Sequence, residues 1–315
     1  MVTIKKIEIK DYFGKGDFEW VLDPVVNILG GKNGSGKSTL FKLCYLMLAQ
    51  KVIDDSIDEG FKKLFKLATV TLSNGWTLTW NHPKRDSAVE LHTGQFGAMV
   101  GGAITTETAF IADETGKRRN FNDLHKLINV KMINSFEQHI SSATQYVEQP
   151  KSMPLDDPTM LDLMIYDQIN LRNRIFTSKM EEFVEVEDES KRHAYIETYK
   201  QIYTSLSHFL KGYGPVKSTF SFKKNGQEFG YEHLSMGEKQ ILLLLLMVGN
   251  TNQEPCIFFM DEPDLSMHID WKEILVTELH EMNPNMQIIL STHAPSVITG
   301  WHDRVREVDQ LIKKR

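Results

Sequence analysis

Residues 31–39 read GKNGSGKST and fit the pattern GxxxxGK[ST] of loops that cradle phosphate groups. The stretch PVVNIL at 24–29 is typical of a buried strand, and FKLCYLML at 41–48 continues as an apolar helix. Glycines at three positions let the backbone curl until its N–H groups converge on phosphate oxygens at the start of that helix. This order of strand, glycine loop and helix predicts an α/β fold that binds a nucleotide.

The loop also carries side chains suited to a triphosphate. Lys37 would reach the β- and γ-phosphates, and Ser38 would hold Mg²⁺ with Thr39 beside it. A chance glycine turn before a helix is the alternative, and the complete motif in its strand and helix context disfavours it. The residues expected to contact the nucleotide are Gly31, Asn33, Gly34, Ser35, Gly36, Lys37, Ser38 and Thr39.

Two carboxylates end the apolar stretch IFFMDEP at 257–263. Four apolar residues suit a buried parallel strand, and α/β sheets hold their ligands at the carboxyl ends of such strands. We therefore expect Asp261 to bind Mg²⁺ through water and Glu262 to polarise the attacking water as general base. The alternative is that the pair only caps the next turn.

A histidine follows the third apolar stretch, MQIILSTHAP at 286–295. The imidazole of His293 could hydrogen-bond a γ-phosphate oxygen and so sense whether that phosphate is present. A lone histidine after a strand is more often a turn residue. Its order along the chain, after the loop and the carboxylates, favours the functional interpretation.

The stretch LSMGEKQ at 234–240 precedes the apolar run ILLLLLMV at 241–248. A serine and a small residue at a helix start offer a hydroxyl, free N–H groups and the positive end of a dipole. Because the chain already has one phosphate loop, a second phosphate-facing helix end would be redundant unless two molecules share two nucleotides. The simpler alternative is that Ser235 is the N-cap of a buried core helix.

Composition limits the remaining classes of protein. The 315 residues are 41% hydrophobic and 25% charged, with a net charge of -6, which predicts a soluble globular chain and leaves contact with nucleic acid open. Cys44 and Cys256 are too few for a disulfide framework, so a reduced cytoplasmic protein is expected. The longest apolar run is far shorter than the roughly 18 residues of a membrane span.

Together, GKNGSGKST, LSMGEKQ, IFFMDEP and STHAP resemble the phosphate loop, signature motif, magnesium-base strand and switch histidine of ATP-binding-cassette (ABC) ATPases. Met236 and Glu238, which replace the Gly and Gln usual in transporters, are similar to the SMC, RecF and overcoming-lysogenization-defect (OLD) group, as is the opening KIEIKDYFGKGDFEW. The resemblance frames residues 1 to about 300. It implies a P-loop NTPase with an ABC-ATPase head around a mixed sheet, an antiparallel β lobe and a short helical lobe or arm.

The resemblance also implies site residues and partners. ATP and Mg²⁺ would be the cofactors, and Ser235, Gly237 and Glu238 would contact ATP held by Lys37 of a second copy, giving a homodimer or higher homo-oligomer. Gln138 would link Mg²⁺ to the helical lobe, with Gln145 as a rival. His268 would contact the opposite protomer.

The middle of the chain suggests three parts. Turns at Asn74-Gly75 and Asn225-Gly226 predict β-hairpins within 69–80 and 217–231. Prolines within 148–158 suggest a boundary, and two near-heptad patterns predict helices of about 20 residues joined by the acidic stretch 181–190. We therefore expect an N-terminal part of the head at 1–150, a helical lobe or hairpin at 151–215, and a C-terminal part of the head at 216–315. A projecting arm and a packed subdomain both fit the helices.

These features predict an ATPase that dimerises around two ATPs and acts as the nucleotide-driven subunit of a larger complex. The 22 residues after His293 hold no carboxylate cluster suited to a two-metal nuclease. By resemblance to stand-alone OLD-like ATPases, the expected setting is anti-phage defence with a separate effector nuclease or toxin. The alternatives are the nucleotide-binding subunit of an ABC transporter and a sensor or scaffold that barely hydrolyses ATP.

Overall fold

The structure is a computed structural model that describes residues 1–49, 64–81, 109–134, 158–186, 188–214, 216 and 220–314. The strands are β1 (Ile4–Lys10), β2 (Asp17–Val21), β3 (Val26–Gly30), β4 (Leu67–Leu72), β5 (Thr77–Asn81), β6 (Ala109–Ala112), β7 (Arg118–Arg119), β8 (Val130–Ile133), β9 (Phe222–Lys224), β10 (Gln227–Phe229), β11 (Cys256–Asp261), β12 (Met286–Ser291), β13 (Val305–Glu307) and β14 (Ile312–Lys313). The helices are α1 (Lys37–Leu48), α2 (Phe121–Leu127), α3 (Met160–Glu185), α4 (Glu189–Phe209), α5 (Met236–Gly249), α6 (Ile269–Met282) and α7 (Val308–Leu311).

A five-stranded parallel sheet in the order β13-β3-β12-β11-β8 forms the centre of the fold. β3, β11 and β12 are buried along their whole length, which explains their continuous apolar sequences. Asp261 at the end of β11 is the register partner of Ser291 at the end of β12. The phosphate loop after β3, the carboxylates after β11 and the histidine after β12 therefore meet at one edge of the sheet.

A second, seven-stranded sheet runs in the order β14-β2-β1-β4-β5-β6-β7 with antiparallel pairing throughout. It contains the predicted hairpin about Asn74-Gly75. The buried side chain of Gln287 on β12 joins the two sheets, because its Oε1 accepts the N–H of Ile4 at 2.7 Å while its Nε2 donates to the Ile4 carbonyl at 2.8 Å. The amide thus fixes β1 against the central strand.

The predicted hairpin about Asn225-Gly226 is also present, as β9 and β10. Both turn residues have positive φ angles, 52° and 84°, as a two-residue turn of this kind requires. Residues 217–219 of the predicted stretch lie outside the described residues.

Helix α5 is the most deeply buried helix body of the described chain. Its residues from Ile241 to Leu246 are each 0% exposed. The helix contacts α3, α4 and α6, so its all-round apolar sequence reflects enclosure by other elements. The predicted core helix behind Ser235 is confirmed.

The two predicted helices form a hairpin, α3 and α4, of 26 and 21 residues. The acidic stretch 181–190 was expected to join them, but α3 continues to Glu185 and α4 begins at Glu189, so most of that stretch is helical. Their buried residues lie where the hairpin joins the rest of the protein, and no described residue between Asn173 and Gln201 is buried. Lys239 of α5 makes a 2.7 Å ion pair with Asp162 at the start of α3. The hairpin is therefore packed at its base and more exposed towards its tip, which combines features of the arm and of the packed subdomain.

The observed architecture confirms the predicted α/β fold class, with the parallel and antiparallel strands divided between separate sheets. The prolines at 150 and 154 lie outside the described residues. Over the described ranges, no helix is long and apolar enough to cross a bilayer.

Candidate functional site

The phosphate loop connects β3 to α1 in the predicted order. Gly31, Gly34 and Gly36 have φ angles of 144°, 74° and 104°, a region that L side chains rarely adopt. Gly36 is also crowded, since a Cβ there would lie 2.3 Å from the Tyr12 hydroxyl. The glycines are therefore required by backbone conformation and, at Gly36, by contact with the 11–16 turn.

Lys37 is the first residue of α1, and its side chain is only 4% exposed. Its ammonium donates a hydrogen bond of 2.9 Å to the carbonyl of Gly31 and lies 2.7 Å from Nε2 of His293. Burial lowers the pKa of Lys37, and the carboxylates of Glu262, Asp261 and, more weakly, Glu307 oppose that shift. A buried cation thus lies at the centre of the loop.

Glu262 follows β11 in a left-handed backbone conformation, with φ at 48°. Such a conformation is unfavourable for a glutamate and is often found at functional sites. Its N–H donates to the Ser291 carbonyl at 3.0 Å, which ties the turn to β12. The carboxylate then lies 3.0 Å from His293 Nε2 and 4.0 Å from Lys37 Nζ.

The Nε2 atom of His293 can serve only one of its two neighbours at a time. It accepts a hydrogen bond from the Lys37 ammonium when its lone pair is free, and it donates one to the Glu262 carboxylate only when it carries the ring hydrogen itself. The three side chains therefore form a chain of contacts in which the tautomer of His293 selects the partner.

Asp261 is 3% exposed and accepts a 2.6 Å hydrogen bond from the Ser291 hydroxyl. Three residues further along the chain, the buried carboxylate of Asp264 accepts a hydrogen bond of 2.9 Å from the Thr292 hydroxyl and lies 3.1 Å from the ammonium of Lys272. These contacts hold the segment after β11 against the segment that carries His293.

The residues expected to hold Mg²⁺ fit the preferences of that ion in part. Ser38 lines the cleft at the loop, and Asp261 is close enough to interact electrostatically with the neighbouring Lys37. Mg²⁺ commonly takes one or two protein oxygens and completes its shell with phosphate and water, so a dense carboxylate cluster is not required. Within the described ranges there is no group of three or more His, Cys, Asp or Glu side chains that could hold a metal. Gln138 and Gln145 lie outside the described residues.

An open cleft of about 380 Å³ extends over the phosphate loop. Within the described part of the chain, Ser235, Gly237 and Glu238 do not line it, whereas all the predicted loop residues except Gly31 do. Its lining residues are Phe13, Asn33, Gly34, Ser35, Gly36, Lys37, Ser38, Thr39, Glu262 and His293.

The signature segment forms a capping box at the start of α5. The Ser235 hydroxyl accepts from the Glu238 N–H at 3.4 Å, and the Glu238 carboxylate accepts from the Ser235 N–H at 2.7 Å. The other oxygen of Glu238 accepts from the Tyr213 hydroxyl. A carboxylate at position 238 therefore has a local structural reason, because it accepts both hydrogen bonds.

Gly237 is required by a close approach. A Cβ at this position would lie 2.4 Å from the carbonyl oxygen of Ser266, in the segment after β11. Ser235 and Met236 remain exposed beside it.

His268 is exposed as well and is the N-cap residue of α6, where its Nδ1 accepts a hydrogen bond from the Asp270 N–H at 3.4 Å. The expected contacts of these residues with a second copy stay predictions.

Three residues at or near the site escaped the sequence interpretation. Ser291 precedes His293 by two positions, and its place at the end of an apolar strand could have suggested a partner for Asp261. Phe13 lies between two strand patterns, where an aromatic residue in a glycine-containing turn is a weak signal. Tyr213 had no local signal, because only the fold brings it to Glu238.

A family model described as "AAA domain, putative AbiEii toxin, Type IV TA system" matches residues 134–299. The match covers more than half of the 315 residues. The chain belongs to this AAA-domain family.

Two curated proteins resemble this AAA-domain chain. It is 27% identical over 246 residues to the Retron Vc95 probable ATPase of Vibrio cholerae serotype O1 biovar El Tor, a match that covers 72% of this chain and 45% of the relative. It is 25% identical over 166 residues to the Retron Ec83 probable ATPase of Escherichia coli, which covers 47% of this chain and 31% of the relative. The matches thus span less than half the length of these relatives.

The AAA-domain chain also shares its fold with SMC heads. An SmcHead bound to the C-winged helix domain of ScpA matches with a TM-score of 0.54 at 14% identity, covering 94% of this chain and 91% of the other. The SMC head domain from Thermotoga maritima matches with a TM-score of 0.50 at 15% identity, covering 96% and 94%. At these identities the likeness concerns the fold alone, and it bears out the predicted SMC-like head fold.

Proposed function

We propose that this AAA-domain protein binds and hydrolyses ATP between two copies of itself and transmits the resulting change of shape to a partner protein. The observation that carries the proposal is the contact chain of Lys37, His293 and Glu262 beside the phosphate loop. These are a cation for phosphate, a proton donor or acceptor and a carboxylate base, all on one cleft.

In this proposal each side chain has one task. Lys37 binds the terminal phosphates, His293 hydrogen-bonds the γ-phosphate, and Glu262 accepts a proton from the attacking water. Mg²⁺, when bound at Ser38 and Asp261, would neutralise negative charge on the phosphates. The fixed backbone of Glu262, anchored to Ser291, keeps its carboxylate at the cleft without a rearrangement at the moment of reaction.

Two copies are proposed because the signature residues of one chain do not line its own cleft. Ser235 is exposed at the N-terminus of α5, where free N–H groups and the helix dipole favour an anion. The segments that carry Gly237 and Ser266 are in contact with each other. Met236 and Leu265, the residues directly before Gly237 and Ser266 in the sequence, are exposed and apolar. ATP shared by both copies would stabilise their association, whereas ADP lacks the γ-phosphate that completes the contacts.

The setting we propose is a defence complex in which a separate nuclease or toxin is the effector. The resemblance to retron probable ATPases and the family description, which mentions a toxin and a toxin–antitoxin system, support this setting. The partner protein would be sought by pull-down of the Glu262→Gln variant from the native host with ATP and with ADP. Recovery of an effector with ATP but not with ADP would support the proposal. Recovery of the same set of proteins with both nucleotides would contradict it.

Light scattering of the Glu262→Gln protein tests the shared site. Removing the base should leave nucleotide binding intact and trap the ATP-bound form, so the mass should double with ATP and Mg²⁺ and remain that of the monomer with ADP. The double variant Lys37→Ala/Glu262→Gln is the control and should stay monomeric with both nucleotides. ATP binding without any change of mass, at protein concentrations well above the dissociation constant for ATP, would contradict dimerisation through ATP.

A further inference from the structure

A groove follows one face of α3, at the edge of the central sheet opposite the phosphate loop. Its first part is a pocket of about 530 Å³ between α3 and the segment 250–254, which follows α5. Asn129 and Glu254 line this pocket, and they lie just before β8 and β11. The phosphate loop lies at the carboxyl ends of the parallel strands, so the pocket at their amino ends is a separate site.

A second pocket, of about 800 Å³, extends the groove along α3. The two pockets share Leu171 and Arg174, and together they form what we call the α3 groove. Tyr166 lines one end and Lys179 the other, which are about 20 Å apart along the helix at 1.5 Å per residue. An extended peptide of roughly six residues, at about 3.3 Å per residue, has this length.

The wall of the groove that faces α3 is held in place by the fold. Asn252 and Gln253 have positive φ angles, 51° and 58°, which are uncommon for residues other than glycine. The buried Asn283 fixes this turn, because its Nδ2 donates to the Thr251 hydroxyl at 2.8 Å and to the Glu254 carbonyl at 3.0 Å. An unfavourable turn that its surroundings maintain is a common feature of binding sites.

A buried amide in the groove has an unused acceptor. Asn250 is 7% exposed, and its Nδ2 donates to the main-chain and side-chain oxygens of Gln168 at 2.9 and 3.1 Å. Its Oδ1 is buried and accepts no hydrogen bond from any described residue. Because buried polar atoms are normally paired, this oxygen suits a donor on a ligand that enters the groove.

The groove as a whole is rich in amides. An amide side chain carries a donor and an acceptor, the same pair that each peptide unit of a main chain offers. The lining therefore matches the N–H and C=O groups of an extended backbone. The amide residues are Asn129, Gln168, Asn170, Asn173, Asn250 and Asn252.

Arg174 gives the groove a free positive charge where the two pockets meet. It is exposed and makes no ion pair with any described residue. A guanidinium binds a carboxylate through two parallel hydrogen bonds. Leu171 and Ile175, on the same face of α3, are half-buried and offer apolar surface beside this charge.

The remaining charges of the groove disfavour a nucleic acid strand. Lys179 already pairs with Glu182 at 2.8 Å, and the carboxylates of Asp167 and Glu254 also line the groove. A strand with a phosphate at every nucleotide needs several cations along its path. One free arginine between two carboxylates instead suits a ligand with a single negative charge at that point.

We propose that the α3 groove binds an extended acidic peptide segment of a partner protein. A carboxylate of the peptide pairs with Arg174, an apolar side chain packs on Leu171 and Ile175, and the peptide main chain bonds to the amides. The inference goes beyond the proposed ATP site, since the groove needs neither Lys37 nor a bound nucleotide.

The test selects peptides from a random dodecapeptide library displayed on phage, without nucleotide, on the unmodified protein. We expect the recovered sequences to share an acidic residue close to an apolar one. Fluorescence anisotropy of a labelled recovered peptide then measures its affinity, which should fall by about 10- to 100-fold in Arg174→Glu. Replacing the acidic residue of the peptide by lysine should restore part of the binding to that variant.

The matched control is Arg192→Glu on α4. Arg192 is also exposed, makes no ion pair with any described residue and lines neither pocket, so the affinity should stay unchanged. Asn252→Gly removes an amide from the groove while glycine accepts the positive φ angle, and it should weaken binding by about 3- to 10-fold. Recovery of no peptide, or equal binding to Arg174→Glu and the unmodified protein, would overturn the proposal.

A single-stranded oligonucleotide of twelve thymidines tests the other class of ligand. It should not displace the labelled peptide, and displacement would overturn the peptide site in favour of nucleic acid. ATP binding is measured on the same protein. Binding of ATP without any peptide would overturn the groove alone, whereas binding of peptide without ATP would support the groove and contradict the proposed function.

Discussion

Nε2 of His293 lies 2.7 Å from Nζ of Lys37, although 256 positions separate the two residues along the chain. The same Nε2 lies 3.0 Å from a carboxylate oxygen of Glu262. A single ring nitrogen thus joins the buried cation of the phosphate loop to the carboxylate at the end of the central strand.

Replacing His293 should slow hydrolysis more than it weakens binding. His293→Ala removes the proposed donor to the γ-phosphate and should lower kcat by about 100-fold, with ATP affinity changed only a few-fold. Steady-state phosphate release and equilibrium ATP binding would measure the two effects. His302→Ala, at an exposed position outside the cleft lining, is the control and should leave both values unchanged. Unchanged kcat in His293→Ala would remove His293 from the catalytic proposal.

Ser235 allows the capping role to be separated from the proposed contact with a second copy. Ser235→Ala removes the N-cap hydroxyl and should cost about 1 kcal/mol of stability. Ser235→Arg removes the same hydroxyl and adds a bulky cation at an exposed position, so it should also block ATP-dependent dimerisation in the Glu262→Gln background. ATP titration and light scattering of both variants would test this. Normal dimerisation of the arginine variant would contradict the cross-protomer contact.

The ion pair between Lys239 and Asp162 should have a large effect on stability, because both side chains are buried, at 10% and 6% exposed. Lys239→Met leaves the buried Asp162 carboxylate without its cation and should lower the free energy of unfolding by about 3–5 kcal/mol. The double variant Lys239→Met/Asp162→Asn should lose less free energy of unfolding than the two single variants lose in sum, as measured by urea unfolding.

Lys200 and Glu197 provide an exposed comparison on α4, at 61% and 58% exposed. Lys200→Met should change stability by no more than about 0.5 kcal/mol. Equal effects of Lys200→Met and Lys239→Met would contradict the importance of the buried pair between α3 and α5.

Part of the protein's stability should depend on the negative charge of Asp113 and so be lost in acid. The Thr115 hydroxyl, Arg119 and the N–H groups of Lys117 and Thr115 hydrogen-bond its carboxylate and lower its pKa to about 2. Because the folded value lies below the usual 3.8, the stabilisation is fully present above the usual value and is lost as the pH falls towards 2.

Asp113→Asn should therefore be less stable than the unmodified protein at pH 6, and the difference should narrow as the pH falls below 4. Urea unfolding at a series of pH values between 6 and 3 would measure it. A difference independent of pH would mean that the carboxylate charge has no part in the stabilisation.

Several features of the site followed from local sequence because local physics decides them. The glycines of GKNGSGKST adopt positive φ angles that other residues avoid, and Asn225-Gly226 forms the two-residue turn its sequence favours. The apolar stretches 257–260 and 286–290 became central strands, which carried Glu262 and His293 to the sheet edge where they were expected.

Other features depend on contacts between distant segments. Glu238 departs from the transporter pattern in the sequence, but its hydrogen bonds to Ser235 and Tyr213 depend on the fold. Phe13 gave little signal in the sequence, since its position beside Gly36 requires the turn at 11–16 to fold onto the loop.

The sequence by itself determined the phosphate loop, the α/β class and the candidate polar residues of the site, because backbone conformation and apolar periodicity are properties of neighbouring residues. Only the tertiary structure decided which nitrogen of His293 faces Lys37, why Gly237 admits no side chain and which ring lines the cleft. These relationships depend on distances between segments that pack together from far apart in the chain, and no local pattern contains those distances.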